Sequence, residues 1–277
     1  MDAVTHPVRL GCIFHPTDLS AVDEPAFAHA LRLAWAAPAE LTLFHVRDGR
    51  AAPGRPVFPS VRGWLGRWGL LAPGASRRDV VARGMEVKKI EGRGDPLEAM
   101  SHRLERHPTD LVVLYTHRGG VLHAGGRPLA GPLARRSQAM TLFLPEGAKG
   151  FVDASTGRVG LRRILLPVAG RPAPHRGLQA AATLAKVLEA RDAAFTLLHA
   201  GREDGLPLLD PPPGGRWERL VTEGDPVEVI RSAAARLAPD LIVMPTAGRE
   251  GFLDVLRGST TERVLRAAGC PVLAVPA

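Results

Sequence analysis

Four short motifs occur twice in this chain, in the same order. Ile13-Phe-His-Pro16-Thr17 returns as Ile164-Leu-Leu-Pro167-Val168, and Leu41-Thr-Leu-Phe-His45 returns as Phe195-Thr-Leu-Leu-His199. Gly94-Asp95-Pro96 returns as Gly224-Asp225-Pro226, and Asp110-Leu-Val-Val-Leu-Tyr-Thr116 as Asp240-Leu-Ile-Val-Met-Pro-Thr246. Repeats this long mean duplicated domains, not a solenoid, whose units run to roughly 20–50 residues. The apolar runs inside the motifs are short and continuous, as in strands buried on both faces. Helical patterns separate them, and strand–helix–strand with short joints calls for a right-handed parallel crossover. The expected fold is therefore α/β, two doubly wound parallel-sheet domains of five strands each. The 277 residues suit two domains of about 130–140 residues. We place them at 1–147 and 161–277, joined by a linker at 148–160 where Gly, Ser, Thr and Asp gather.

Within the first copy, Gly11–His15 reads as a strand and Ala26–Ala36 as a helix, with Ser20 or Asp23 as its cap and Pro25 in its first turn. Leu41–Val46 is the second strand. Pro53, Pro56 and Pro59 then make an extended arm, and Val61–Leu71 is helical with Trp64, Leu65, Trp68 and Leu71 on one face. That aromatic face either packs over the domain's own sheet or forms a partner surface. Val80–Ile90 reads as the third strand, Pro96–Arg106 as a helix, Asp110–Thr116 as the fourth strand, Leu133–Arg136 as part of a helix and Thr141–Pro145 as the fifth strand.

Composition narrows the function classes. The formal net charge is +8, which favours anionic ligands. The arginines are scattered, however, and no nucleic-acid-binding motif accompanies them. Cys12 and Cys270 make neither a disulfide framework nor a ligand cluster, and each lies at a buried strand as a small core residue. No apolar run reaches the ~18 residues of a membrane span, and the N-terminus lacks an apolar signal core. A cytoplasmic, reducing location without membrane or specific nucleic-acid partners is the expectation.

The stretch from Asp240 to Ala277 carries the strongest chemical signal. Leu241–Met244 is a buried strand, followed by Gly248, Gly251 and Gly258. Ser259, Thr260 and Thr261 can cap the next helix, and Glu262 stands at the capping-box spacing from Ser259. Val264 and Leu265 would face inward and Arg263 and Arg266 outward, before a strand at Pro271–Val275. Glycines ahead of a helix N-terminus leave backbone N–H groups free to face an anion, usually a phosphate.

Gly248-x-x-Gly251, Gly258-Ser259, a helix and a Pro-Val-Leu-x-Val strand resemble the C-terminal signature of the universal stress protein family. Ile13-Phe-His-Pro-Thr-Asp18-Leu-Ser20 and Leu41–Val46 resemble its N-terminal half, and the Gly-Asp-Pro turn matches in both copies. Six residues separate Gly251 from Gly258, fewer than is usual in nucleotide-binding members. The resemblance implies an adenine nucleotide alpha hydrolase-like domain, strand order 3-2-1-4-5, with a ligand crevice at the carboxyl ends of strands 1 and 4. It implies ATP or another adenine nucleotide as ligand. Carried over, Gly248, Gly251, Gly258, Ser259 and Thr260 would hold ribose and phosphates, and Asp18 would contact a base. Each half lacks part of the set: Ala169 stands where Asp18 does, and Arg127 and Pro128 stand where Gly258 and Ser259 do.

The resemblance also implies pairing through the last strands, Thr141–Leu144 and Val272–Val275, as an intramolecular pseudo-dimer or in a homodimer. Three functions follow: stress-associated nucleotide binding with little or no turnover, slow ATP hydrolysis, or ligand-free binding of a protein partner through Trp64 and Trp68. His15, His45 and His117 fall near strand ends and would form a metal or acid–base site if they converged. No nucleophile elbow, phosphate-loop lysine motif or Cys/His ligand spacing occurs.

Overall fold

The computed structural model describes residues 8–47, 56–116, 130–246 and 260–276. They form two compact units. One is Leu10–Glu146 with Gly150–Gly160, and the other is Leu161–Ala277 with Gly147–Lys149 and the N-terminal stretch that includes Val8 and Arg9.

The first unit contains β1 (Cys12–Pro16), α1 (Glu24–Ala36), β2 (Glu40–Val46), α2 (Val61–Arg67), α3 (Arg77–Ala82) and β3 (Glu86–Gly92). It continues with α4 (Pro96–Arg106), β4 (Leu111–Thr116), α5 (Ala130–Ser137) and β5 (Met140–Pro145). Its strands run in the order β3-β2-β1-β4-β5, all parallel. The second unit contains β6 (Arg163–Pro167), α6 (His175–Val187), β7 (Ala194–Ala200), β8 (Arg216–Thr222) and α7 (Pro226–Leu237). It ends with β9 (Leu241–Thr246), α8 (Thr260–Ala267) and β10 (Val272–Pro276). Its order is β8-β7-β6-β9-β10, again all parallel. Both units are doubly wound with the expected 3-2-1-4-5 order.

The repeated motifs have structural work in both copies. Asp110 Oδ2 accepts the N–H groups of Gly11 at 2.8 Å and Cys12 at 2.9 Å, tying the start of β1 to the start of β4. Asp240 Oδ2 does the same for Arg162 and Arg163. In the Gly-Asp-Pro turns, Asp95 Oδ1 accepts from Glu98 N–H, and Asp225 Oδ1 accepts from Val227 and Glu228. Each Asp is an N-cap and each Pro starts its helix, where a missing N–H is harmless. Neither aspartate is free for chemistry.

Sequence periodicity places the third strand too early. Residues 77–82 are helical, and β3 starts at Glu86. Ser76 Oγ accepts from Arg78 N–H while Asp79 Oδ2 accepts from Ser76 N–H, a reciprocal cap that fixes a short helix inside an apolar run. Gly84, at φ +80°, then reverses the chain into β3.

The segment read as a linker is packed against the first unit. Phe151 is 2% exposed, and Val152 and Val159 form an antiparallel bridge. Asp153 Oδ1 closes the turn by accepting from the backbone and hydroxyl groups of Ser155 and Thr156. This small hairpin lies on α1, where His29 accepts from Val152 N–H. Trp64 and Trp68 cover α1 as well: Trp64 stacks edge-on with Phe27 at 5.0 Å, and Trp68 Nε1–H donates to Ala154 O. Both tryptophans are under 9% exposed. Their aromatic face is core of the first unit, so it is not an open partner surface. Buried all round in consequence, α1 differs from α6, whose buried residues (Leu178, Ala181, Ala185) lie on one stripe.

Candidate functional site

In an open parallel sheet a ligand crevice forms where the strand order reverses, outside the carboxyl ends of the central strands. That point lies between β1 and β4 in the first unit and between β6 and β9 in the second.

In the second unit β9 ends at Thr246 and α8 begins at Thr260. Gly248, Gly251, Gly258 and Ser259 lie outside the described residues, as does the side chain of Glu262. Thr260 is half-buried at the first position of α8, and Val264 is buried in the core against Ile230, Val272 and Met244. Leu265 packs against the same cluster, while Arg263 and Arg266 are exposed, as the helical pattern predicts. Arg263 approaches Asp225 at 3.9 Å, joining the first turns of α8 and α7. Thr246 is fully buried, and its hydroxyl has no hydrogen-bond partner among the described residues. A buried unsatisfied hydroxyl is uncommon and marks a place where water or a ligand is wanted. Ala169, opposite in the β6 loop, is exposed and offers no side-chain acceptor.

In the first unit Asp18 is half-buried just past β1, and its Oδ1 accepts from Ser20 N–H at 2.9 Å and Ser20 Oγ–H at 2.6 Å. This is an Asx turn, which leaves Oδ2 for another donor. Arg127, Pro128 and His117 lie outside the described residues.

The other two strand-end histidines do not converge. His45 Nδ1–H donates to Thr17 O at 2.9 Å, and its counterpart His199 donates to Val168 O at 3.1 Å. Position by position these are the same bond in the two repeats, a structural clasp between the loop after the first strand and the end of the second. His15 is fully buried and turns elsewhere. Its Nδ1–H donates to Val113 O at 3.0 Å, and its Nε2 lies 3.2 Å from Asp23 Oδ2, which is also buried. The contact is at ion-pair distance but its orientation does not make a hydrogen bond, and both Asp23 oxygens are otherwise unpartnered among the described residues. Sequence reading placed Ser20 or Asp23 as the helix cap; the Asp23 carboxylate makes no cap bond.

Both ring nitrogens of His15 thus face acceptor oxygens, which suits the imidazolium. Burial opposes that charge most strongly, yet the Asp23 carboxylate and the Val113 carbonyl outweigh it and raise the His15 pKa above its ordinary value. A raised histidine contributes stability that is fully present below the unfolded pKa, about 6.5, and is lost as pH rises through the folded value. A His15→Gln chain should therefore show a flatter loss of stability than the parent above pH ~6.5. Denaturant melts from pH 6 to 9 test this, and parallel curves would refute the paired imidazolium. No group of three or more metal-ligating side chains is assembled among the described residues.

Both thiols are held toward the protonated form. Burial raises the pKa of Cys12 and pushes Cys270 up to about 12. A cavity of about 890 Å³ lies between α6 and the segment leading into β8, lined by Gln179, Lys186, Phe195 and Pro213. It is at the amino end of β7 and away from Thr246 and Thr260, so its size does not make it the crevice. Among the described residues, no helix is long and apolar enough to cross a membrane.

Comparison with known proteins finds a family match inside the second unit. Residues 209–276 match the model of the universal stress protein family. A universal stress protein of Methanocaldococcus jannaschii is 47% identical over 53 residues, which is 19% of this chain and 31% of that relative's length. Among solved structures, a universal stress protein from Archaeoglobus fulgidus superposes with a TM-score of 0.63 at 14% identity, covering 96% of this chain and 98% of that one. A protein of unknown function from Pseudomonas aeruginosa superposes with a TM-score of 0.59 at 15% identity, covering 96% and 92%. The structural likenesses establish the fold over both units, and the sequence match falls in the second. Within the second unit, residues 209–276 thus match the universal stress protein family, and both units are built on the fold that such a protein shows.

Proposed function

We propose that the chain is a stress-associated regulatory protein of the cytoplasm whose second unit binds an adenine nucleotide, ATP or a close relative, with little or no turnover. The observation that carries this reading is the position of two described elements. β9 ends at Thr246 at the switch point of the sheet, and the next helix in the chain, α8, begins at Thr260. Phosphates there would meet unpaired N–H groups and the positive end of a helix dipole. The partnerless Thr246 hydroxyl supports a polar occupant nearby. A base amino group would find no carboxylate at Ala169, which favours contact through backbone carbonyls. Asp18 keeps one carboxylate oxygen available and is the corresponding candidate contact in the first unit.

The test is melting with ATP and magnesium, and mass analysis of any ligand that co-purifies. A ligand at about 100 times its Kd adds about 2.7 kcal/mol to the folded state. The parent should gain stability with nucleotide, and Ser259→Pro should lose that gain, with the ligand-free melt lowered by no more than the about 1 kcal/mol of a lost helix cap. No shift at millimolar nucleotide would sink the reading. Phosphate release that Ser259→Pro abolishes would favour slow hydrolysis instead, and release it leaves untouched would indicate a contaminant.

A further inference from the structure

Some arginines of this chain are held in ion pairs. Arg47 meets Glu91, Arg136 meets Glu98, Arg216 meets Glu218 and Arg231 meets Glu228. One group is different. A cleft of about 390 Å³ in the first unit, over β2 and β3 and beside α4, is lined by Arg93, His102, Arg103, Arg106 and His107. Phe44 lines it too, its buried ring lying against Gly92; a Cβ at position 92 would come within 2.8 Å of the ring. None of the three arginines makes an ion pair among the described residues.

We propose that this cleft is a second anion site, built for a diphosphate group, whether inorganic or carried by a nucleotide. Three arginines without an ion pair among the described residues line one concavity, and guanidinium forks match phosphate oxygens in pairs. The acids nearby are already engaged: Glu91 and Glu98 in the pairs above, and Asp95 as the cap of α4. Glu40 holds Lys88. Glu105 lies two residues from Arg103, on the opposite side of the helix. Arg103 and Arg106 sit in the last turn of α4, where cations suit the helix dipole. That explains those two charges, but not Arg93, which comes from the loop before α4, nor the cavity the three share. The local field is visible in His107, whose pKa is lowered by partial desolvation and then by Arg103, Lys88 and Arg106, against an opposing Glu40.

The experiment titrates the full chain with inorganic pyrophosphate at low salt while following the histidine ring resonances. Binding should move His102 and His107 and raise the His107 pKa, because an anion offsets the cations that depress it. The double variant Arg103→Gln, Arg106→Gln should bind at least about tenfold more weakly, as expected for losing two charge-assisted contacts. Arg231→Gln, paired and in the second unit, should bind like the parent. Absent shifts at His102 and His107, or equal weakening in Arg231→Gln, would overturn the site; the latter would mean that net charge alone attracts the anion. An ADP arm separates the sources: tighter binding than pyrophosphate identifies a nucleotide, and equal binding identifies the diphosphate alone. Either result at His107 is independent of nucleotide binding at α8, because Ser259→Pro leaves this cleft intact.

Discussion

Acidification from pH 7 to 4 is expected to remove about 3 kcal/mol of stability from the first unit through His29 alone. His29 sits in the middle of α1, fully buried. Its Nδ1–H donates to Pro25 O at 2.6 Å, and its Nε2 accepts from Val152 N–H at 3.1 Å. The ring is thereby fixed as one neutral tautomer. Protonation would set a second N–H against the N–H of Val152, with no carboxylate among the described residues to receive it. Burial is the main cause of the shift and lowers the pKa to about 4, with the Pro25 carbonyl opposing it. The unfolded chain takes up the proton near pH 6.5, before the folded one does. The contribution is therefore fully present above 6.5, declines as pH falls, and is gone once the folded group also titrates near 4.

Asp153 falls in a lower window. The hydroxyls of Ser155 and Thr156 hold it down to about 2, so its contribution fades only below the usual carboxylate range. The measurement is urea unfolding across pH 4–7 beside the NMR titration of the His29 ring. A His29→Gln chain should be less stable at pH 7 and lose less on acidification, the two curves approaching each other near pH 4. A His29 ring that titrates near 6.5 would refute the argument. His15 responds in the opposite sense, with its contribution lost on the alkaline side, so the two histidines bracket a stability maximum near neutrality.

The fold was legible in the sequence because its signals are redundant. Continuous apolar runs such as Leu111–Leu114 and Leu241–Met244 mean strands buried on both faces, and both are fully buried here. The Asp-Pro starts of α4 and α7 are caps readable from residue type alone. What sequence misread were places where one residue type serves two purposes. Val80 and Val81 suit a strand, but the Ser76–Asp79 cap, three residues apart, outweighs their preference. Gly, Ser, Thr and Asp at 150–160 suit a free linker as well as a tight turn, and Phe151, Val152 and Val159 decide for the turn by burying themselves. The candidate site was legible only as a list of residue types. Thr246 was passed over, because a threonine ending a strand is ordinary until its hydroxyl is seen buried without a partner. Ser20 or Asp23 was read as the cap, since sequence cannot show that the Asp23 carboxylate turns toward His15 rather than toward the first turn of α1. The cationic cleft escaped notice because Arg93 and Arg103 meet only through the tertiary packing of α4 on β3.

Truncating Phe151 to alanine should lower the stability of the first unit by about 3–5 kcal/mol, the usual range for deleting a buried aromatic ring. The ring is 2% exposed and meets His29 edge-on at 4.4 Å, with the planes 81° apart. Such a pair adds about 0.5–1.5 kcal/mol beyond burial. The site cannot readily collapse around the gap. Gly150 is pressed so close to His29 that a Cβ there would lie 2.3 Å from the ring, and Gly157, at φ +68°, sits against Trp68 with a virtual Cβ 2.4 Å away. The hairpin is therefore held at both ends by backbone contacts that a shift toward the cavity would break. Its fluorescence reporter is built in, because Trp68 donates to Ala154 O inside the same hairpin. Trp35, Trp64 and Trp68 belong to the first unit and Trp217 to the second, so urea unfolding followed by tryptophan emission reports mainly the first. Water entering beside His29 would also ease its desolvation, so Phe151→Ala should raise the His29 pKa toward its ordinary value and flatten the acid-side loss of stability. A true linker would behave otherwise: Phe151→Ala would then change stability by under about 0.5 kcal/mol, as surface substitutions do, and leave the His29 titration where it was. The coupling of the two effects separates a structural hairpin from a chance contact, since only a hairpin that seals α1 moves both the melt and the proton.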